Sequence, residues 1–139
     1  MQPTRIDHVG IAVPDLDAAI AFYGRAFGLT VEHEEVNEEQ GVREAMLRVG
    51  DAHLQLLAPL SPESTIAKFI DRSGPGIQQL AFTVDDVEAE AADLRASGVR
   101  VLYDHAKVGT GGSLVNFCHP KDCGGVLVEL VQHREGTTH

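Results

Sequence analysis

Long apolar runs are missing from this chain of 139 residues, which leaves nothing to cross a bilayer as a helix. The N-terminus has no basic stretch followed by an apolar one, so no secretory signal is expected and the cytoplasm is the expected location. Positive charge is scarce: 11 Lys and Arg against 21 Asp and Glu leave a net charge of −10. That balance argues against a nucleic-acid partner, which needs a basic footprint. Any anionic ligand must be met by local Arg or Lys against a repelling global field. The two cysteines, Cys118 and Cys123, are spaced C-x4-C with no second pair nearby. They are read as reduced structural thiols and not as a zinc ribbon. Aromatic residues make up only 5% of the chain, little material for an aromatic-walled pocket.

What is present is a repeat. Ile6-Asp7-His8-Val9-Gly10-Ile11-Ala12-Val13 is echoed 71 residues later by Ile77-Gln78-Gln79-Leu80-Ala81-Phe82-Thr83-Val84, as the numbering shows. Each copy runs into an acidic turn, a helix-like segment and a Gly-β-branched stop (Gly28-Leu29-Thr30-Val31 and Gly98-Val99-Arg100-Val101). Both copies alternate with the period of a strand. Val9, Ile11 and Val13 form a bulky apolar face fit to pack on a helix, opposite His8, Gly10 and Ala12. In the second copy Leu80, Phe82 and Val84 oppose Gln79, Ala81 and Thr83. A polar side chain followed by small residues leaves room for a ligand. With a hydrophobic content of 43%, the chain is long enough for one compact unit or two half-domains sharing a core.

Taken in order, Asp15 is a plausible N-cap for a helix to about Phe27, with Leu16, Ala19, Ile20, Tyr23 and Phe27 on one stripe. Strands are expected over Leu29–Glu34, Val42–Val49 and His53–Ala58, the last two joined at Gly50-Asp51. Pro59, Pro62 and Pro75 mark a linker in which Ser64–Arg72 forms a short helix burying Ile66, Phe69 and Ile70. The second half repeats the order: a strand from Ile77, a helix over Asp86–Ala96, and strands near Val99–Tyr103, over Leu114–Cys118 and over Val126–Val131. Gly109-Thr110-Gly111-Gly112 lacks the Lys-Ser/Thr of a phosphate loop and is read as a hairpin turn.

The fourth strand has its echo as well. His53-Leu54-Gln55-Leu56-Leu57 aligns with Leu127-Val128-Glu129-Leu130-Val131, which matches Gln55 to Glu129. Four repeat-related positions therefore carry His8, Gln55, Gln79 and Glu129. In a duplicated β-α-β-β-β chain, the first and fourth strands of each half can form the middle of a curved sheet on which these side chains converge.

This pattern resembles the vicinal oxygen chelate superfamily and, within it, the methylmalonyl-CoA epimerase family. The resemblance runs almost end to end. It is carried most specifically by Asn37-Glu38-Glu39-Gln40-Gly41-Val42-Arg43-Glu44, by Gln55-Leu56-Leu57-Ala58-Pro59-Leu60, and by Asn116-Phe117-Cys118-His119-Pro120-Lys121-Asp122. It implies an α+β fold of two tandem βαβββ modules, about 4–60 and 76–133 with a linker at about 61–75. The modules would form a curved mixed sheet around a metal-binding cleft. It further implies metal ligands at His8, Gln55, Gln79 and Glu129, catalytic carboxylates at Glu44 and Glu129, and an acyl-CoA substrate held by a homodimer. The divalent ion would be Co, Mn, Zn or Mg. The family more commonly has a His-His pair where this chain has Gln78-Gln79, and an amide in place of an imidazole shifts preference toward harder ions.

The implied reaction is epimerisation at C2 of methylmalonyl-CoA. A proton flanked by a thioester and a carboxylate is removed and returned on the other face, through an enolate that a divalent ion stabilises. Two groups on opposite faces of C2 serve as base and conjugate acid. Glu44 is the more secure base, because a carboxylate held by a cation keeps to its ionised form. Lys68 and Lys121 are weaker candidates for the CoA phosphates. His33, His53, His105, His119 and His133 have no repeat partners and are read as surface or turn residues. Two alternatives stand beside this reading. One is another glyoxalase-type isomerase. The other is a metal-free module that sequesters small molecules, which the retained polar positions and the few aromatics disfavour. A ring-cleaving dioxygenase would need two His and a carboxylate, and these four positions supply one His.

Overall fold

The computed structural model describes residues 2–134. The architecture is mixed α+β, and each half of the chain runs β-α-β-β-β: β1 (Arg5–Ala12), α1 (Leu16–Phe27), β2 (Val31–Asn37), β3 (Val42–Val49), β4 (Ala52–Pro59), then β5 (Gly76–Thr83), α3 (Val87–Ala96), β6 (Lys107–Val108), β7 (Leu114–Cys118) and β8 (Leu127–Gln132). Helix α2 (Thr65–Ser73) occupies the stretch between the halves. The chain divides into two compact units: one is Val9–Gln78, and the other joins the residues up to His8 to those from Gln79 onward.

In the Val9–Gln78 unit the strand order is β2-β3-β4-β1. The Asp15 carboxylate accepts from Ala18 N and starts α1, and Gly28, at φ 70°, stops it. Leu16, Ala19, Ile20 and Tyr23 then pack on Val13, Ala45, Leu47, Leu56 and Ala58. Phe27 departs from the expected stripe. It is the helix's last residue, is 64% exposed, and stacks on Tyr23 instead. Strand β2 begins later than expected, at Val31, because Leu29 N–H is used to cap the helix at Tyr23 O. It continues as far as the Asn37↔Val42 pair. Ser64 caps α2 by accepting from Ala67 N, and Ile66, Phe69 and Ile70 pack on Ala12, Val42 and Leu57 as the pattern predicts.

In the other unit the order is β1-β5-β8-β7-β6, with β5 parallel to β8 and β7 antiparallel to both its neighbours. Asp86 caps α3, whose Val87 and Leu94 pack with Val84, Cys118 and Leu130. The expected strand at Val99–Tyr103 does not form; a single bridge, Val101↔Cys118, stands in its place. Side chains have taken the backbone groups a ladder would use. The Asn116 amide bonds both Tyr103 N–H and Tyr103 C=O, and the Arg95 guanidinium donates to the carbonyls of Val101 and Tyr103. The glycine-rich loop is a hairpin turn, a 3₁₀ turn at Thr110–Gly112 between β6 and β7.

Candidate active site

Burying a charged or amide side chain is costly unless its hydrogen bonds are met. All five candidate residues, His8, Glu44, Gln55, Gln79 and Glu129, are buried. The structure gathers them in two groups, one in each unit.

The first group is His8, Gln79 and Glu129. Gln79 on β5 pairs with Leu127, so Glu129 is its diagonal neighbour on β8, close enough for long side chains to meet. Gln79 Nε2 donates to Glu129 Oε1 at 2.9 Å, and it lies 3.4 Å from His8 Nε2. His8 Nε2 itself stands 2.8 Å from the same Glu129 oxygen. The three functional groups therefore converge by direct contact.

The other ring nitrogen of His8 is also engaged, Nδ1 lying 2.8 Å from Asp7 Oδ1. Asp7 in turn accepts from Thr83 Oγ1 at 2.6 Å and from the His133 ring, and Arg5 lies 3.8 Å away. Burial works against charge on the His8 ring. The Glu129 carboxylate and the Asp7 hydrogen bond outweigh it and push the imidazole up to about 9. Burial likewise opposes charge on Asp7, yet the bonds from His133, His8 and Thr83 hold its carboxyl well below the usual carboxylate range.

The second group is Glu44 and Gln55. Gln55 on β4 faces Met46, and Glu44 on β3 faces Leu57. The two long side chains meet diagonally, Gln55 Nε2 donating to Glu44 Oε2 at 3.0 Å. Glu44 is thus a buried carboxylate and not the solvated edge charge that strand alternation alone would allow.

Asp7, Thr83 and His133 do not appear among the sequence candidates. Their signal was an acidic residue inside a strand between Ile6 and His8, since a buried Asp demands partners. Strand alternation puts neighbours on opposite faces, so no pattern in the sequence joins Asp7 to His8. Two of the histidines read as surface or turn residues are drawn into contacts, His53 buried and His133 half-buried. His53 bonds Glu32 at 2.8 Å, and His133 reaches Asp7. His33 and His105 pair with Glu35 and Glu88, and His119 accepts from Lys121 N in the turn that follows β7.

A divalent ion fits the first group by the chemistry of its donors: one imidazole nitrogen, one carboxylate and one amide that a half-turn would present by its oxygen. The carboxylate on the far nitrogen of His8 is the arrangement that metal-bound imidazoles make. Among the described residues no three His, Cys, Asp or Glu side chains form a metal-binding group on their own, so an ion here depends on the amide donor. The mix of hard oxygen donors with one imidazole suits Mn(II) or Mg(II) as well as Co(II) or Zn(II).

The glyoxalase/bleomycin resistance protein/dioxygenase superfamily model matches residues 7–117. Methylmalonyl-CoA epimerase from Mycobacterium tuberculosis is similar in structure, with a TM-score of 0.92 and 54% identity over 95% of this chain and 89% of that one. So is a variant of Streptomyces coelicolor methylmalonyl-CoA epimerase in complex with 2-nitronate-propionyl-CoA, with a TM-score of 0.95 and 49% identity over 99% of this chain and 100% of that one. The human mitochondrial methylmalonyl-CoA epimerase is 41% identical over 92% of this chain and 73% of its own length. The chain belongs to the glyoxalase/bleomycin resistance protein/dioxygenase superfamily and, within it, to the methylmalonyl-CoA epimerase family.

Proposed function

We propose that this chain epimerises methylmalonyl-CoA at C2 by removing a proton from one face and returning it to the other. The observation that carries the reading is that each unit buries a carboxylate bonded by a glutamine, Glu44 by Gln55 and Glu129 by Gln79. Buried carboxylates with amide partners are what proton transfer at carbon needs, because their orientation is fixed before the substrate arrives. Glu44 takes the proton from C2. Glu129, which also bonds His8, serves the opposite face.

By the family resemblance, His8, Gln79, Glu129 and Gln55 would hold the divalent ion. When bound, the ion supplies Lewis-acid stabilisation of the negative charge that develops as C2 loses its proton. The chain's own part is to hold two carboxylates ready, each bonded by a glutamine. The substrate is an acyl-CoA, matching the bound 2-nitronate-propionyl-CoA of the Streptomyces coelicolor relative. Among the described residues no helix is long and apolar enough to cross a membrane. A homodimer in the cytoplasm completes the proposal.

The test is proton exchange at C2 of methylmalonyl-CoA in D2O, followed by NMR. Protein stripped with EDTA is compared with protein restored by Mn(II), Co(II), Zn(II) or Mg(II). Exchange that requires an ion and falls about 100-fold or more in Glu44→Gln is the expected result. A wild-type protein that binds a small ligand but exchanges nothing with any ion would overturn it in favour of a sequestering module.

A further inference from the structure

Resting on that reading, we propose that Asp7 is a positioning residue for His8. Held in place by Thr83 and His133, its carboxylate accepts a hydrogen bond from His8 Nδ1–H, fixes the ring and leaves the Nε2 lone pair for a divalent ion.

Three observations carry this. Asp7 is wholly buried, so its charge is stable there only with hydrogen-bond partners. Its two oxygens divide the work, Oδ1 to His8 Nδ1 at 2.8 Å and Oδ2 to Thr83 Oγ1 at 2.6 Å and the His133 ring. Neighbours on a strand normally point to opposite faces. The bond between Asp7 and His8 is therefore not a by-product of the strand. Thr83 on β5 and His133 just beyond β8 bond the other carboxylate oxygen and so fix the group that meets the ring.

The chemical consequence follows from the two forms of a neutral imidazole. A ring with its proton on Nε2 offers no lone pair to a cation at that atom, and a ring free to rotate offers it in the wrong direction. A carboxylate on Nδ1 removes both alternatives and raises the basicity of the other nitrogen. Loss of such a partner typically weakens metal binding by about 10–100-fold. A purely structural Asp7, tying Thr83 to His133, would leave the His8 ring indifferent to its removal.

The full-length protein labelled with ¹⁵N tests the role in two readouts. In metal-free wild-type protein the His8 Nδ1–H signal is expected downfield and slow to exchange, because a buried carboxylate accepts it. In Asp7→Ala that signal moves upfield or is lost to exchange, and calorimetric affinity for Mn(II) falls about 10–100-fold. Asp7→Asn, which keeps an oxygen acceptor, recovers part of both. Thr83→Val, which removes one of the two groups holding Asp7, shifts both in the same direction by less and covers the case in which Asp7→Ala fails to fold. An unchanged Nδ1–H signal in folded Asp7→Ala, or unchanged Mn(II) affinity in a variant whose signal has moved, overturns the proposal. Wild-type protein that takes up no divalent ion overturns the cation reading and this role together, and is distinguished by being seen before any variant is made.

Discussion

Gln55 Nε2 stands 3.0 Å from Glu44 Oε2, although in the β3–β4 ladder Gln55 faces Met46 and Glu44 faces Leu57. A diagonal contact of this kind depends on both side chains being long, and shortening either abolishes it. Replacing Gln55 with Leu leaves the Glu44 oxygen without that amide in a buried setting, at a cost of about 1–3 kcal/mol. Urea unfolding of Gln55→Leu, Glu44→Leu and the double variant measures the coupling. More than about 0.5 kcal/mol of non-additivity is expected between contacting residues. Strictly additive losses would mean that the two side chains do not hold each other.

Asn116 is wholly buried, and its amide replaces a strand. Its oxygen accepts from Tyr103 N–H at 3.0 Å and Phe117 N–H at 2.8 Å, while its nitrogen donates to Tyr103 C=O at 3.0 Å. Asn116→Ala strips this partner from two backbone N–H groups at once, those of Tyr103 and Phe117, and leaves Tyr103 C=O with Arg95 as its donor. The expected loss is at least about 2 kcal/mol, since each buried orphan costs roughly 1–3 kcal/mol. Hydrogen exchange locates it: the Tyr103 amide loses protection, while the Leu60 amide, bonded to Gly41 O in the other unit, keeps its own. Equal loss at both amides would show global unfolding instead.

The same residue explains where the sequence stopped being readable. Val99-Arg100-Val101-Leu102-Tyr103 has strand composition, but strand propensity says only that a segment suits a pleated surface. That Asn116 and Arg95 would claim its backbone is tertiary information. By contrast α1 and α2 were legible because their caps, Asp15 and Ser64, lie within three residues of the N–H they accept. The His8–Gln79–Glu129 group was legible for a different reason: duplication placed equivalent positions at nearly constant offsets. Asp7 and His133 broke that logic. Asp7 has Gln78 as its repeat partner, and His133 has no equivalent to draw attention to it, so only distance could join them to His8.

Two glycines with similar backbones separate torsional strain from crowding. Gly41 and Gly50 have φ of 71° and 60°, a region L side chains rarely adopt. A Cβ at Gly50 would meet nothing within 4 Å, whereas one at Gly41 would come 3.0 Å from Ser64 Cβ, at the cap of α2. Gly50→Ala is expected to cost about 1 kcal/mol from the backbone alone. Gly41→Ala adds displacement of the α2 cap and should cost at least twice as much by thermal or urea unfolding. Equal losses would show that Ser64 gives way to the added methyl group at no cost.

Burial, reinforced by the neighbouring Cys123 thiol, pushes the Cys118 thiol from 9.0 up to about 11. The folded chain therefore keeps that proton in a pH range where the unfolded chain gives it up. By linkage this contribution to stability is fully present below pH 9 and is lost as the pH rises through about 11. Two results are expected. At pH 8 iodoacetamide labels the partly exposed Cys123 and leaves the buried Cys118 unmodified until denaturant is added, because the thiolate is the reacting species. Between pH 9 and 11 the melting temperature of wild type falls more steeply than that of Cys118→Ala, which has no thiol to ionise. Parallel alkaline slopes would assign the loss to other groups. Early labelling of Cys118 would show that β7 opens to reagent far more readily than its packing against Val84, Val87 and Leu130 allows.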